Sequence, residues 1–130
     1  MDYRIASCDL GKATASFATG HVNQAGEVRM DDVHTVEHHG SVMDRFKRWY
    51  KDMEIGSVRF LSATGLHAER LIKPVMILPE DTCQEAWLDD SSAANRDLPD
   101  TMNLVSVGAG GYSVLSRSPS QKAGDARPYI

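Results

Sequence analysis

Three features of the sequence predict an α/β chain with a mixed β-sheet and flanking helices. Residues 3–36 contain three strand-like runs separated by short turns. Residues 41–53 carry apolar side chains at intervals of three and four. Beyond them, compact apolar runs and a second helix start continue as far as Arg117. Composition suits one folded domain: 130 residues, 42% of them apolar and 25% charged, are enough for a single core. The expected division is a domain over 1–117 and a polar tail or truncated linker over 118–130.

The first strand is expected over 3–8, mostly apolar and stopped by Asp9-Leu10-Gly11-Lys12. The second covers 14–22, with small residues and mixed polarity. Asn23-Gln24-Ala25-Gly26 reads as a turn, and 27–36 as a third strand with Val28, Met30 and Val36 inward. Strands joined in this way suggest an antiparallel meander. Val42, Phe46, Trp49, Tyr50 and Met53 then form one stripe of a helix, opposite Asp44, Lys47, Arg48, Lys51 and Asp52. Ser41 followed by Asp44 resembles a capping box, and Gly56 suits a stop.

Residues 57–61 read as a buried strand, with Ser62-Ala63-Thr64-Gly65 as its terminal loop. A helical turn over 67–71 and a short strand over 75–78 follow. Pro79-Glu80-Asp81 opens a second helix, because proline fits a first turn and acidic groups favour its positive end. That helix is expected to carry Cys83, Ala86 and Trp87 inward, with 89–101 a solvated connector. Strands over 102–107 and 112–117 flank the permissive turn Gly108-Ala109-Gly110-Gly111.

Lysine and arginine number 14 against 18 aspartates and glutamates, a net charge of -4. That is not the electrostatic footprint of a nucleic-acid binder. The densest basic run, 45–48, reads as the wet face of the first helix. Two cysteines, Cys8 and Cys83, make neither a disulfide scaffold nor a cysteine-only metal site. No apolar run reaches the length that crosses a bilayer, and no secretory signal is visible. A cytoplasmic protein with no membrane and no nucleic-acid partner is expected.

The turns carry the candidate chemistry. A glycine turn brings backbone N–H groups close to an anion. Gly11 allows that approach, Lys12 adds charge and Thr14 an oxygen. Asp9 suits a magnesium ion held through water. Gly108, Gly110 and Gly111 offer a second backbone cradle. Two such hairpins facing each other would clamp a polyphosphate, which fits phosphoryl transfer, a chemistry of positioning and charge stabilisation. Neither turn matches a P-loop or a dinucleotide fingerprint. His34, His38 and His39 read as structural or surface residues of a strand-to-helix loop. Zinc is the alternative, with Glu37 or Asp32 as a further ligand. His67 reads as a loop residue, with the cleft as its alternative place.

In motif order, residues 3–117 resemble the amino-terminal half of the actin-like ATPase superfamily, which has a ribonuclease-H-like fold. The likeness is greatest to the activator ATPases of benzoyl-CoA reductase and 2-hydroxyacyl-CoA dehydratases, with type II pantothenate kinase second. The first phosphate hairpin of that family reads Asp-x-Gly-Ser/Gly-Thr-x-x-Lys. Here Asp9 and Gly11 match, while the threonine falls on Ala13 and the lysine on Ser16. The family's Ala-Thr-Gly strand end is Ala63-Thr64-Gly65. Its second hairpin is similar to Ser106-Val107-Gly108-Ala109-Gly110-Gly111, with Ser106 in place of an acid or amide.

The resemblance implies ATP and magnesium as cofactors, and Asp9 as the catalytic and metal-positioning residue. It implies phosphate or nucleotide contacts from Gly11, Lys12, Thr14, Gly65, Ser106, Gly108, Gly110 and Gly111. The activators' cluster cysteines lie beyond the matched segment, so no iron–sulfur cluster is expected within this chain. A second ATPase domain or partner subunit would complete the nucleotide site, and the isolated chain is expected to be inactive. A dehydratase or reductase is the implied partner, and a homodimer would cover an apolar face otherwise left open. The alternatives are a noncatalytic interaction domain, part of a small-molecule kinase, or an unrelated α/β binding protein.

Overall fold

The computed structural model describes residues 2–54, 57–71, 75–94, 102–109, 111–117 and 127–129. The chain divides into two compact units, Met1–Leu78 and Pro79–Ile130. Gly56, Gly110, residues 95–101 and residues 118–126 lie outside the described residues, and the expectations placed on them lie there too.

The first unit is built on the expected meander. Strands β1 (Tyr3–Leu10), β2 (Thr14–Val22) and β3 (Val28–Glu37) pair antiparallel in chain order. Helix α1 (Val42–Asp52) then carries the chain across to β4 (Val58–Thr64), which pairs parallel with β1. A two-residue strand β5 (Met76–Ile77) adds in parallel to β4, giving the order β3-β2-β1-β4-β5. The sheet is mixed because hairpins join antiparallel neighbours, whereas a helical crossover returns the chain in parallel.

Alternation along β1 defines the two faces of this sheet. Ala6, Cys8 and Leu10 are buried, while Ser7 and Asp9 between them are only half-buried. The buried set joins Ala15, Phe17, Leu61 and Ala63 under Val42 and Phe46 of α1 and Met53 just after it. Trp49 closes the cluster, its ring 4.8 Å from Phe17 and 5.9 Å from Phe46. The helical stripe read from the sequence is therefore the core face.

Several local expectations need correction. Val28 and Met30 are exposed, not inward. They pair with Val22 and Gly20 on an edge strand, on the face opposite α1, and only Val36 reaches the core. Ser41 makes no side-chain cap, because its φ of -100° and ψ of 42° depart from the extended geometry that aims the hydroxyl at the next turn. The left-handed residue after α1 is Glu54, at φ 56°. Ser62, Ala63 and Thr64 belong to β4, where pairing with β1 holds them extended.

The second unit holds helix α2 (Glu80–Ala94) and an antiparallel sheet of β6 (Met102–Gly108), β7 (Gly111–Arg117) and β8 (Arg127–Tyr129) in that order. The helix starts where proline and the acidic residues predict, but continues through 89–94, where a connector was expected. Among its described side chains Leu88 is buried, while Ala86 and Trp87 are exposed and Cys83 is half-buried. Strand β8, inside the expected tail, pairs with β7 through Val114, Leu115 and Ser116. Among the described residues no helix is long and apolar enough to cross a membrane.

Phe17 is a test of the core. Phe17→Ala is expected to cost about 3–5 kcal/mol in denaturant unfolding. Val33→Thr, at a site 63% exposed on β3, is expected to change stability by about 0.5 kcal/mol or less.

Candidate functional site

The parallel pairing of β1 with β4 brings Asp9 level with Thr64, and the antiparallel pairing with β2 brings it level with Ser16. Ser16 pairs in turn with Thr35, and their hydroxyl oxygens are 2.8 Å apart. A polar row, Thr35–Ser16–Asp9–Thr64, thus crosses four strands on the face opposite α1. It lies at the carboxyl ends of the parallel strands, the edge where open α/β sheets bind ligands.

The chain leaving β4 passes hard against this row. A Cβ at Gly65 would lie 2.5 Å from Oδ1 of Asp9 and 2.7 Å from the backbone N and O of Leu10, and φ there is +98°. Both the space and the left-handed conformation require glycine. Gly65 therefore sits directly beside the carboxylate. Two residues on, the N–H of His67 donates to the carbonyl of Leu10 at 3.0 Å.

Electrostatically the row is unbalanced. Burial pushes the Asp9 carboxyl above its ordinary pKa. No cation or hydrogen-bond donor pairs with it among the described residues. The hydroxyl of Thr64 is buried and has no hydrogen-bond partner among the described residues. Beside them the Cys8 thiol, raised to about 12 by burial and by Asp9, stays protonated and is no nucleophile. Orphaned polar groups of this kind are uncommon in native structures.

The β1–β2 turn completes the site. It is closed by the N–H of Gly11 donating to the carbonyl of Thr14 at 3.0 Å. Lys12, Ala13 and Thr14 are exposed, and the amides of Lys12 and Ala13 meet no acceptor among the described residues. The carbonyls of Gly11 and Ala13 are both occupied by His38, through its ring at 2.8 Å and its main-chain N–H at 3.1 Å. The structure thus brings Asp9, Gly11, Lys12, Thr14 and Gly65 together and adds Thr64 and His38, the latter expected as a structural or surface loop residue with zinc as its alternative. His38 carries no motif, and its only signal is the glycine two residues later.

The three loop histidines separate. His34 bonds Asp32 at 2.7 Å on the sheet surface, His39 faces Glu37 at 3.5 Å in solvent, and both ring nitrogens of buried His38 are occupied. Among the described residues, no three His, Cys, Asp or Glu side chains converge as a metal cage. A single carboxylate fits the alternative, a magnesium ion that keeps most of its water and leans on phosphate oxygens. Such an ion would neutralise phosphate charge, with Asp9 the residue to hold it.

In the second unit, Gly108 pairs with Gly111 at the end of the β6–β7 hairpin. Ser106 lies within β6 opposite Ser113, two residues before Gly108, as Asp9 precedes Gly11. Gly110 is outside the described residues.

The direction of the Asp9 shift fixes a stability prediction. A carboxyl raised by folding contributes its full stability below its ordinary pKa and loses it as pH rises through the raised one. At neutral pH the wild type carries that cost, so Asp9→Asn is expected to melt a few degrees higher, with the gain shrinking in acid. Gly65→Ala is expected to destabilise by at least about 1–3 kcal/mol. Thermal melts across pH check both.

No protein-family profile matches the sequence, and no curated protein matches it. Solved structures do. A Ppx/GppA family member from Aquifex aeolicus superposes with a TM-score of 0.61 at 14% identity, over 99% of this chain and 51% of its own. An exopolyphosphatase from Cytophaga hutchinsonii gives 0.63 at 14%, over 97% and 50%. The activator of 2-hydroxyisocaproyl-CoA dehydratase from Clostridium difficile, solved with bound ADPNP, gives 0.64 at 11%, over 97% and 45%. This chain spans about half the length of each. At these identities the likeness is one of architecture: the chain has the mixed sheet and flanking helices of the actin-like, ribonuclease-H-like ATPase fold.

Proposed function

We propose that this chain is the phosphate-binding half of an ATP-handling protein, with Asp9 and the β1–β2 turn as its anion site. One observation carries the reading. Among the described residues, a half-buried carboxylate without a partner stands beside a buried unpartnered hydroxyl and two unpaired turn amides. The amides and Lys12 suit phosphate oxygens, and Asp9 suits the magnesium ion that accompanies them. Thr14 at the turn's exit and Gly65 beside Asp9 complete the contact set. Ser106, Gly108, Gly110 and Gly111 are proposed as a second phosphate-contacting turn, on the same spacing of a polar residue and glycine.

Catalysis by the isolated chain is not part of the proposal. The chain spans about half of the structures it resembles, so a second domain or partner subunit would supply the rest of the nucleotide site. Service to a CoA-ester dehydratase or reductase is a narrower reading, resting on likeness to an activator alone. One observation favours a noncatalytic interaction domain instead. The position across from Asp9 is Ser16, bonded to Thr35, with no lysine there to meet a transferred phosphate.

Calorimetric titration with ATP, with magnesium or with EDTA, tests the site. Magnesium-dependent binding is expected, weakened ~10-fold or more by Asp9→Asn. In EDTA the same substitution is expected to leave binding equal or tighter, because it removes a charge that repels phosphate. Inorganic tripolyphosphate in place of ATP shows whether the base contributes. No heat with either ligand at millimolar concentration would sink the phosphate reading.

A further inference from the structure

We propose that His38 is a positioning residue for the β1–β2 turn. As a neutral imidazole protonated on Nε2, it holds the Gly11 carbonyl and so keeps the amides of Lys12 and Ala13 free for a phosphate oxygen. The inference rests on the phosphate-binding reading above and deepens it.

His38 is 3% exposed, and all four of its polar groups are engaged. Its main-chain N–H donates to the carbonyl of Ala13 at 3.1 Å, and its carbonyl accepts from the N–H of Ser41 at 2.7 Å. Its Nδ1 lies 3.0 Å from the N–H of Gly40. An amide can only donate, so Nδ1 must carry the lone pair and the ring proton must sit on Nε2. That Nε2–H then donates to the carbonyl of Gly11 at 2.8 Å. The tautomer follows from the partners alone.

The backbone is bent to make this possible. His39 and Gly40 adopt φ of 48° and 85°, two consecutive left-handed residues. The bend returns the Gly40 amide to the ring two residues earlier. A non-glycine residue held at such a φ is uncommon and costs free energy. It is sustained here by a ring with no freedom left. The His67 ring stands edge-on to that of His38, 6.1 Å away at 84°. With the His67 N–H on Leu10, the carbonyls of Leu10, Gly11 and Ala13 are all held by residues outside the turn.

The consequence for binding is geometric. A turn whose Gly11 and Ala13 carbonyls are held by its own protein does not rotate those carbonyls toward an incoming anion. An anion site built of backbone amides depends on that exclusion, because one carbonyl turned outward replaces attraction with repulsion. His38 touches no phosphate itself and acts through Gly11 and Ala13.

Two near-isosteres separate this role from bulk packing. His38→Asn keeps an acceptor at the Nδ1 position for Gly40 but is too short to reach Gly11. His38→Gln places an N–H donor where Nε2 was. With magnesium and ATP, or tripolyphosphate, Asn is expected to lose about tenfold in affinity and Gln to stay within about threefold of wild type. Amide resonances of Gly11, Lys12 and Ala13 without ligand are expected to move in Asn and to stay near wild type in Gln. Ring nitrogen shifts of the wild type are expected to show a single Nε2–H tautomer. Equal binding and equal turn resonances for Asn and Gln would overturn the proposal, as would an Nδ1–H ring. If the wild type bound neither ligand, the phosphate reading would fail by itself. The turn resonances and the tautomer would still decide whether His38 sets the turn.

Discussion

The passage of the chain at Gly65 across the end of β1 is the contact on which the candidate site depends. No side chain fits there, because the space a Cβ would fill is already taken by the Asp9 carboxylate and the Leu10 backbone. The close approach exists because β4 pairs parallel with β1 up to Asp9 and Thr64. It continues in the His67 amide, which fixes the last carbonyl of β1. From that point the β1–β2 turn is pinned on one side by the β4 exit and on the other by His38. The sheet therefore holds a turn in place and leaves two of its amides unpaired among the described residues.

The same packing imposes an electrostatic cost. Among the described residues, Asp9 is partly withdrawn from water and given no counter-ion, and the Thr64 hydroxyl is buried without a partner. Folding for its own sake would replace both with apolar or paired groups. On the other side of the sheet the core has no such defect, with Phe17, Leu10 and Val42 packed under an aromatic cluster. Apolar packing lies on the α1 face, and the Asp9 carboxylate and Thr64 hydroxyl, unpaired among the described residues, lie in the row opposite it.

Much of this was legible in the sequence. The α1 stripe was, because its helical period and its burial coincide. The meander was, because its turns lie between runs of strand length. Asp9 and Gly11 were, as a pattern of carboxylate and glycine at a strand end. Other features depend on neighbours that no local pattern reveals. Val28 and Met30 alternate like core residues, yet they belong to an edge strand on the side away from α1. Leu88 is buried where Ala86 and Trp87 were expected to be, since a shift of one position turns a helix by about 100°. Strand β8 lies in a polar stretch that reads as a tail and is defined by its pairing with β7. By sequence alone His38 is a loop histidine with zinc as its alternative, because its partners lie 27 residues back at Gly11 and across a left-handed bend.

The pairing of Asp9 with Thr64 also orders the assembly of the site in time. The meander closes through neighbours in sequence and needs only short loops. The β1–β4 ladder joins positions 9 and 64, and so must enclose two strands and a helix before its first hydrogen bond forms. Closing a loop of that length is the slower event in chains whose folding is governed by topology. A nascent chain that has released only the meander holds the turn but neither Thr64 nor Gly65. Its Asp9 remains in water at an ordinary carboxylate's ease, and the site comes into being only when β4 arrives.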